Sequence, residues 1–184
     1  AHCLKYGFTV HHVLGLDVVM PDGALVKLGG PVPDRPGFDL VGALVGSEGT
    51  LGVVTEVVLR LLRLPEDVRT LLAAFSSTDA AGAAVSGIIA AGIVPAAVEM
   101  MDRLTIKAAE AAVHPNFPQA EAVLIVELDG PRAEVGALFR RVESVCREAG
   151  ASEVRVAADA DERARFWAGR KAAFAAMGRV SPDY

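Results

Sequence analysis

Two periods of apolar and polar residues run along this chain, and the change from one to the other divides it. The stretch from Val10 to Met20 is rich in apolar and β-branched residues, as in a strand. Pro21-Asp22-Gly23 supplies a turn, and residues 24–28 return as the second arm of a hairpin. Residues 31–37, "PVPDRPG", form a proline-rich loop, and Asp39 is placed to cap a brief helix in "FDLVGALVG". Residues 52–64 read as one long strand, with Val54, Val57 and Leu59 set among polar Thr55, Glu56 and Arg60.

Beyond Pro65-Glu66-Asp67 helical and strand patterns alternate, which predicts a domain boundary there and two domains, 1–65 and 66–184. Strands are predicted over 70–76, 95–101, 122–130 and 152–159. Between them fall helices over 78–92, with Thr78 as N-cap, and over 102–113, capped by Asp102. A third helix, 132–150, carries Val135, Leu138, Phe139, Val142 and Val145 on one face and ends at Gly150; a fourth spans 161–179. This order predicts an α+β fold, with helices on one face of a mostly antiparallel sheet.

Composition narrows the function classes. Hydrophobic residues make up 52% of the 184 positions, enough for a real core. A net charge of -5 with scattered basic residues argues against a nucleic-acid surface. Cys3 and Cys146 lie far apart and suggest neither a disulfide framework nor a metal site, so a reduced cytoplasmic compartment is expected. Residues 82–98 come closest to a membrane-spanning length, but three glycines and a proline interrupt them.

The candidate chemistry starts at "VGSEGTLGVV". Glycines stand at 46, 49 and 52, just ahead of a strand. A dinucleotide-binding fingerprint needs G-x-G-x-x-G before a helix, a Walker loop needs Gly-Lys-Ser/Thr, and a nucleophile elbow needs a glycine where Val45 stands. None of the three fits, and Ser47 has no evident base. What remains is either a tight turn packed on a neighbouring sheet or a bare backbone whose amides suit a phosphate or a flat ring.

In "FWAGRKAAF" Trp167, Arg170 and Phe174 recur at helical spacing, so Arg170 shares a face with aromatic rings. It is either a surface arginine with its stem along the helix or a fork offered to a carboxylate. His11 and His12 would point to opposite faces of a strand, and His2 and His114 stand apart, so no metal-ligand set is expected. Glu99 and Asp102 read as a strand end followed by a helix cap, and Cys146 as inert core.

The segments "LKYG", "HHVLGLDVVMPDG", "GFDLVGALV" and "GSEGTLGVVTEVVLRL" together resemble the FAD-linked oxidases of the vanillyl-alcohol oxidase superfamily, in its glycolate oxidase and D-lactate dehydrogenase branch. The resemblance covers nearly the whole chain. It implies the second half of a PCMH-type FAD-binding domain followed by a substrate-cap domain, both incomplete. FAD is the implied cofactor, with Gly46, Ser47, Glu48, Gly49, Thr50, Gly52, Val53 and Val54 along its pyrophosphate and adenosine, and Tyr6-Gly7 near the flavin. Arg170, with Arg179 as a second, would meet the substrate carboxylate. The implied reaction oxidises a small 2-hydroxyacid, glycolate or D-lactate, to the 2-oxoacid, and electrons leave to an iron–sulfur partner subunit. Any membrane attachment would come through such partners. Neither end reads as finished, so the first FAD subdomain is expected before Ala1 and the catalytic base and metal ligands after Tyr184. Other FAD-linked chemistries on the same scaffold, and a non-catalytic cap module, stay open.

Overall fold

The structure is a computed structural model that describes residues 2–32 and 37–178. It divides into two units: residues 7–64, and residues 1–6 together with 65–184. Each is taken by itself.

In the first unit β1 (Val13–Val19) and β2 (Leu25–Gly29) form the expected hairpin. Its turn is closed by Gly23 N donating to Met20 O at 2.9 Å and by Ala24 N donating to the Asp22 carboxylate at 3.0 Å. β3 (Val53–Leu59) adds to the other side of β1, giving the antiparallel order β2-β1-β3. Two expected boundaries move. Val10 lies in a 3-10 turn, Thr9–His11, not in the strand, because His11 Nδ1 accepts from Phe8 N at 3.0 Å and holds the chain curled. β3 ends at Leu59, not 64, because its partner runs out: Val13 faces Leu59, and Arg60 N donating to His12 O at 2.8 Å closes the ladder. The brief helix α2 (Leu40–Leu44) forms, with Asp39 accepting from Gly42 N at 2.8 Å. It sets Leu44 against Leu16 and Val18 in a small core. Of the proline-rich loop, 33–36 lie outside the described residues.

The second unit runs β4 (Asp67–Phe75), α3 (Thr78–Ala90), β5 (Ala97–Asp102), α4 (Arg103–Val113), β6 (Ala122–Gly130), α5 (Arg132–Glu148), β7 (Glu153–Val156) and α6 (Ala160–Met177). The strands lie in the order β5-β6-β4-β7, every neighbouring pair antiparallel. This interleaves two β-α-β segments and adds α4 and α6. A short N-terminal helix, α1 (Cys3–Tyr6), belongs to the same unit, with Tyr6 Oη donating to Asp129 Oδ2 at 2.6 Å and Lys5 paired with the same carboxylate.

Helices cover both faces of this sheet, not one. Leu71, Ala73 and Phe75 of β4 point with Leu124, Val126 and Leu128 of β6 into a core closed by α3 and α5. The alternate residues Leu72, Ala74, Val123 and Ile125 point the other way, beneath Ile106 and Ala109 of α4 and Phe166 and Ala173 of α6. An uninterrupted apolar run such as "AVLIV" in β6 demands cover on both sides, and the sheet takes it from two pairs of helices. On α5 the buried positions are Val135, Phe139, Val142 and Cys146, with Leu138 and Val145 only partly covered. Burial pushes the Cys146 thiol up to about 11, so it is core and unreactive at neutral pH.

The helix caps come from short polar side chains. Ser77, extended at φ -155 and ψ 157, caps α3 one residue before the expected Thr78 and accepts from Ala80 N. Asp159 caps α6 through Glu162 N at 2.8 Å. Asp102 caps α4 as expected, accepting from Thr105 N at 2.8 Å. Hydrogen bonds from the Thr105 hydroxyl and amide hold the Asp102 carboxyl below its ordinary range. A depressed folded value means that this contribution is complete above the unfolded aspartate pKa of about 4 and is lost as pH falls through the folded one. Asp102→Ala is therefore expected to cost about 1 kcal/mol at neutral pH, with the gap to the parent narrowing below about pH 4 in urea melts.

Candidate functional site

The glycine segment follows α2. Ser47 N donates to Leu44 O at 3.1 Å, and Thr50 N and Oγ1 both donate to Ser47 O, at 3.0 and 2.6 Å. The turn Ser47–Thr50 carries positive φ at both central residues, Glu48 at 52° and Gly49 at 78°, which is the type I′ pattern. Gly46 precedes it at φ 90°. A Cβ on Gly46 or Gly49 would meet no atom within 4 Å, so these two glycines are required by backbone angle and face open space. Gly52 differs: a Cβ there would come within 2.7 Å of Val18 Cγ1 and 3.0 Å of Val19 O, so it serves close packing against β1.

The amides of Gly46, Glu48 and Gly49 make no hydrogen bond among the described residues. Gly46, Glu48, Gly49 and Thr50 are exposed and Ser47 is half-buried, while Val53 and Val54 stay 63% and 40% exposed at the start of β3. Tight turn and bare backbone are thus both present: the turn consumes two amides and leaves three without a partner among the described residues. Such amides beside bare glycines fit the phosphate oxygens of a dinucleotide cofactor.

Within the second unit, a cavity of about 730 Å³ is lined by residues that include His2, Glu99, Glu127, Arg163, Trp167 and Arg170. α6 supplies Trp167 and Arg170, one helical turn apart. Trp167 Nε1 donates to Glu127 Oε2 at 2.7 Å, and the Thr70 hydroxyl donates to the same oxygen at 2.8 Å. Arg170 Nε donates to Glu99 Oε2 at 3.0 Å, with side chains 37% and 15% exposed. Burial acts to raise the Glu99 carboxyl, but hydrogen bonds, including that of Arg170, and the guanidinium charge hold it below its ordinary range. The His2 ring lies 6.3 Å from that of Trp167. A cavity with a fixed guanidinium and an indole wall can hold a small carboxylate.

The expected aromatic setting of Arg170 is one-sided, because Phe174 is 72% exposed while Trp167 is tied to Glu127. Arg179 lies outside the described residues. Tyr6 is held on Asp129, and burial first, then that carboxylate and the charge of Glu127, push its hydroxyl up to about 12. Gly7 belongs to the other unit, with φ 80°. His11 and His12 sit in and after the 3-10 turn, not in a strand. Among the described residues no group of three or more His, Cys, Asp or Glu side chains could hold a metal ion. No helix among them is long and apolar enough to cross a membrane.

Sequence reasoning passed over Glu127, and it read Glu99 only as the end of a strand. A carboxylate inside the apolar run of β6 was the available signal for Glu127, since a buried charge requires partners. Glu99 offered no such mark.

The chain as a whole is similar to known proteins. The family model for the C-terminal domain of FAD-linked oxidases matches residues 64–184, and the chain belongs to that family. The glycolate oxidase subunit GlcD of Escherichia coli is 53% identical over all of this chain, which covers 37% of that protein. Its Bacillus subtilis namesake is 40% identical over 97% of the chain and 38% of its own length. A probable mitochondrial D-lactate dehydrogenase of Danio rerio is 29% identical over 98% and 37%. The chain thus spans somewhat over a third of the length of these relatives. Among solved structures, an alkyldihydroxyacetonephosphate synthase superposes with a TM-score of 0.72 at 21% identity, over 97% of this chain and 35% of that one. p-Cresol methylhydroxylase does so with 0.63 at 14%, over 86% and 37%. Both share the fold.

Proposed function

We propose that this chain is part of a flavoprotein that oxidises a small 2-hydroxyacid, glycolate or D-lactate, to the 2-oxoacid. The observation that carries the reading is 53% identity to a glycolate oxidase subunit across every residue of the chain. The 7–64 unit is assigned to the second half of the FAD-binding domain and the 65–184 unit to the substrate cap. When bound, FAD supplies the acceptor for the hydride that leaves the substrate's C2. The residues assigned to hold it are Gly46, Ser47, Glu48, Gly49, Thr50, Gly52, Val53 and Val54, with Tyr6-Gly7 near the flavin. The open amides of Gly46, Glu48 and Gly49 would donate to phosphate oxygens, while Gly52 keeps the strand close to β1.

Arg170 is assigned to the substrate carboxylate. Its guanidinium neutralises that charge and fixes which end of the acid enters, so the carbinol carbon keeps one orientation. Trp167 walls the same cavity and limits water around the bound acid. No proton transfer is assigned to a residue of this chain. The E. coli relative is a subunit by name, which supports an assembly with other subunits, and the partner assigned to take the electrons is an iron–sulfur subunit.

The test is anaerobic addition of glycolate, D-lactate and 2-hydroxyglutarate to the purified full-length protein. The flavin absorbance is expected to bleach with glycolate or D-lactate. Bleaching by none of the three would remove the reading, and the absence of flavin bands would favour a non-catalytic cap.

A further inference from the structure

Arg170 is held through only one side of its guanidinium. A guanidinium and a carboxylate frequently take two parallel bonds, fork to fork. Here a single bond runs from Nε to Glu99 Oε2 at 3.0 Å. The two Nη nitrogens make no hydrogen bond among the described residues, and the side chain keeps 37% of its exposure on the wall of the cavity. The end-on pair of N–H groups, the edge best shaped for an incoming carboxylate, is thus left unused.

The sheet explains why Glu99 is in place to do this. Glu99 faces Ile125 across the β5–β6 ladder, and Ala97 faces Glu127, so both carboxylates emerge on the side covered by α4 and α6. Glu127 takes the indole of Trp167, and Glu99 takes Arg170 one turn further along α6. Thr70 in turn holds Glu127. The two carboxylates therefore fix neighbouring turns of the helix, one through an aromatic side chain and one through a cationic one.

We infer that Glu99 is a positioning residue: it binds the Nε side of Arg170 so that the Nη pair is presented to the substrate's carboxylate. The inference rests on the proposed role of Arg170. Without Glu99 the long side chain is free to rotate, and binding must then restrict a motion that is otherwise already restricted.

The experiment measures KM and kcat for glycolate and D-lactate in the full-length enzyme carrying Glu99→Ala, Glu99→Gln, Glu99→Asp or Arg170→Ala, each with a melting curve. Glu99→Ala is expected to raise KM about 3- to 10-fold with a smaller change in kcat. Glu99→Gln keeps an oxygen for Nε and is expected to restore KM to within about 2-fold of the parent. Glu99→Asp keeps the charge but withdraws the oxygen, so KM rises. If Glu99→Ala does not fold, the Gln and Asp pair decides the matter. A lower KM in Glu99→Ala would show a carboxylate that substrate must displace, and would overturn the inference. So would an unchanged KM with a lowered melting temperature, or a Gln variant impaired as much as Asp. Arg170→Ala separates the two layers: if it leaves KM unchanged, the carboxylate role of Arg170 fails. If it raises KM while Glu99→Ala does not, the positioning role alone fails.

Discussion

Arg170→Ala in the full-length enzyme is expected to raise KM for glycolate or D-lactate about 10- to 100-fold, with a smaller fall in kcat. A hydrogen bond to a charged partner contributes about 1.5–3 kcal/mol, which corresponds to that range. The effect falls mainly on KM because the substrate's carboxylate is charged before and after the reaction, and its interaction with the guanidinium is similar in the ground and transition states. A loss of orientation adds the decrease in kcat. Arg170→Lys is expected to recover little, since an ammonium cannot replace a planar fork held through its Nε. Steady-state kinetics decide the matter, and an unchanged KM in Arg170→Ala rejects the assignment.

Phe166→Ala is expected to destabilise the 65–184 unit by about 3–5 kcal/mol, the usual cost of emptying a fully buried phenylalanine site. Phe166 is 0% exposed at the centre of the face covered by α4 and α6. Its ring lies 6.4 Å from that of Phe117, and the Arg155 guanidinium stands 4.9 Å over it. Its removal leaves a void that helix and sheet can close only by moving α6, and α6 carries Trp167 and Arg170. Calorimetry of the full-length protein should therefore show a transition lowered by about 10 °C or more. A shift of one or two degrees would mean that α6 is held by other contacts.

The two predictions differ in how early they could be made. Arg170 was visible in "FWAGRKAAF" as a cation at helical spacing from aromatic residues, and a resemblance was needed to choose carboxylate recognition over a plain surface arginine. The glycine turn was the more legible feature. Its residue types already excluded three phosphate and nucleophile devices, and the structure adds why Gly46 and Gly49 differ from Gly52. The first pair are demanded by backbone angle and the last by contact with Val18, and spacing alone carries no such distinction.

Local chemistry alone determined most elements of this protein. Turn residues at 21–23, the capping aspartates at 39 and 102 and the apolar runs that become β4 and β6 act on neighbours within a few residues, so a single sequence shows them. Small errors arose where two local signals competed, as at Ser77 against Thr78 and at Val10 against the curl fixed by His11. Tertiary structure alone decided what lies beside what. Alternation announces that a strand has two faces without saying which helices cover them, and the order β5-β6-β4-β7 sends α3 and α5 to one side and α4 and α6 to the other. That order brings Glu99 to Arg170 and Glu127 to Trp167, pairs separated by 71 and 40 residues. A carboxylate's partner is chosen by sheet register and helix docking, long-range packing that periodicity along the chain does not encode.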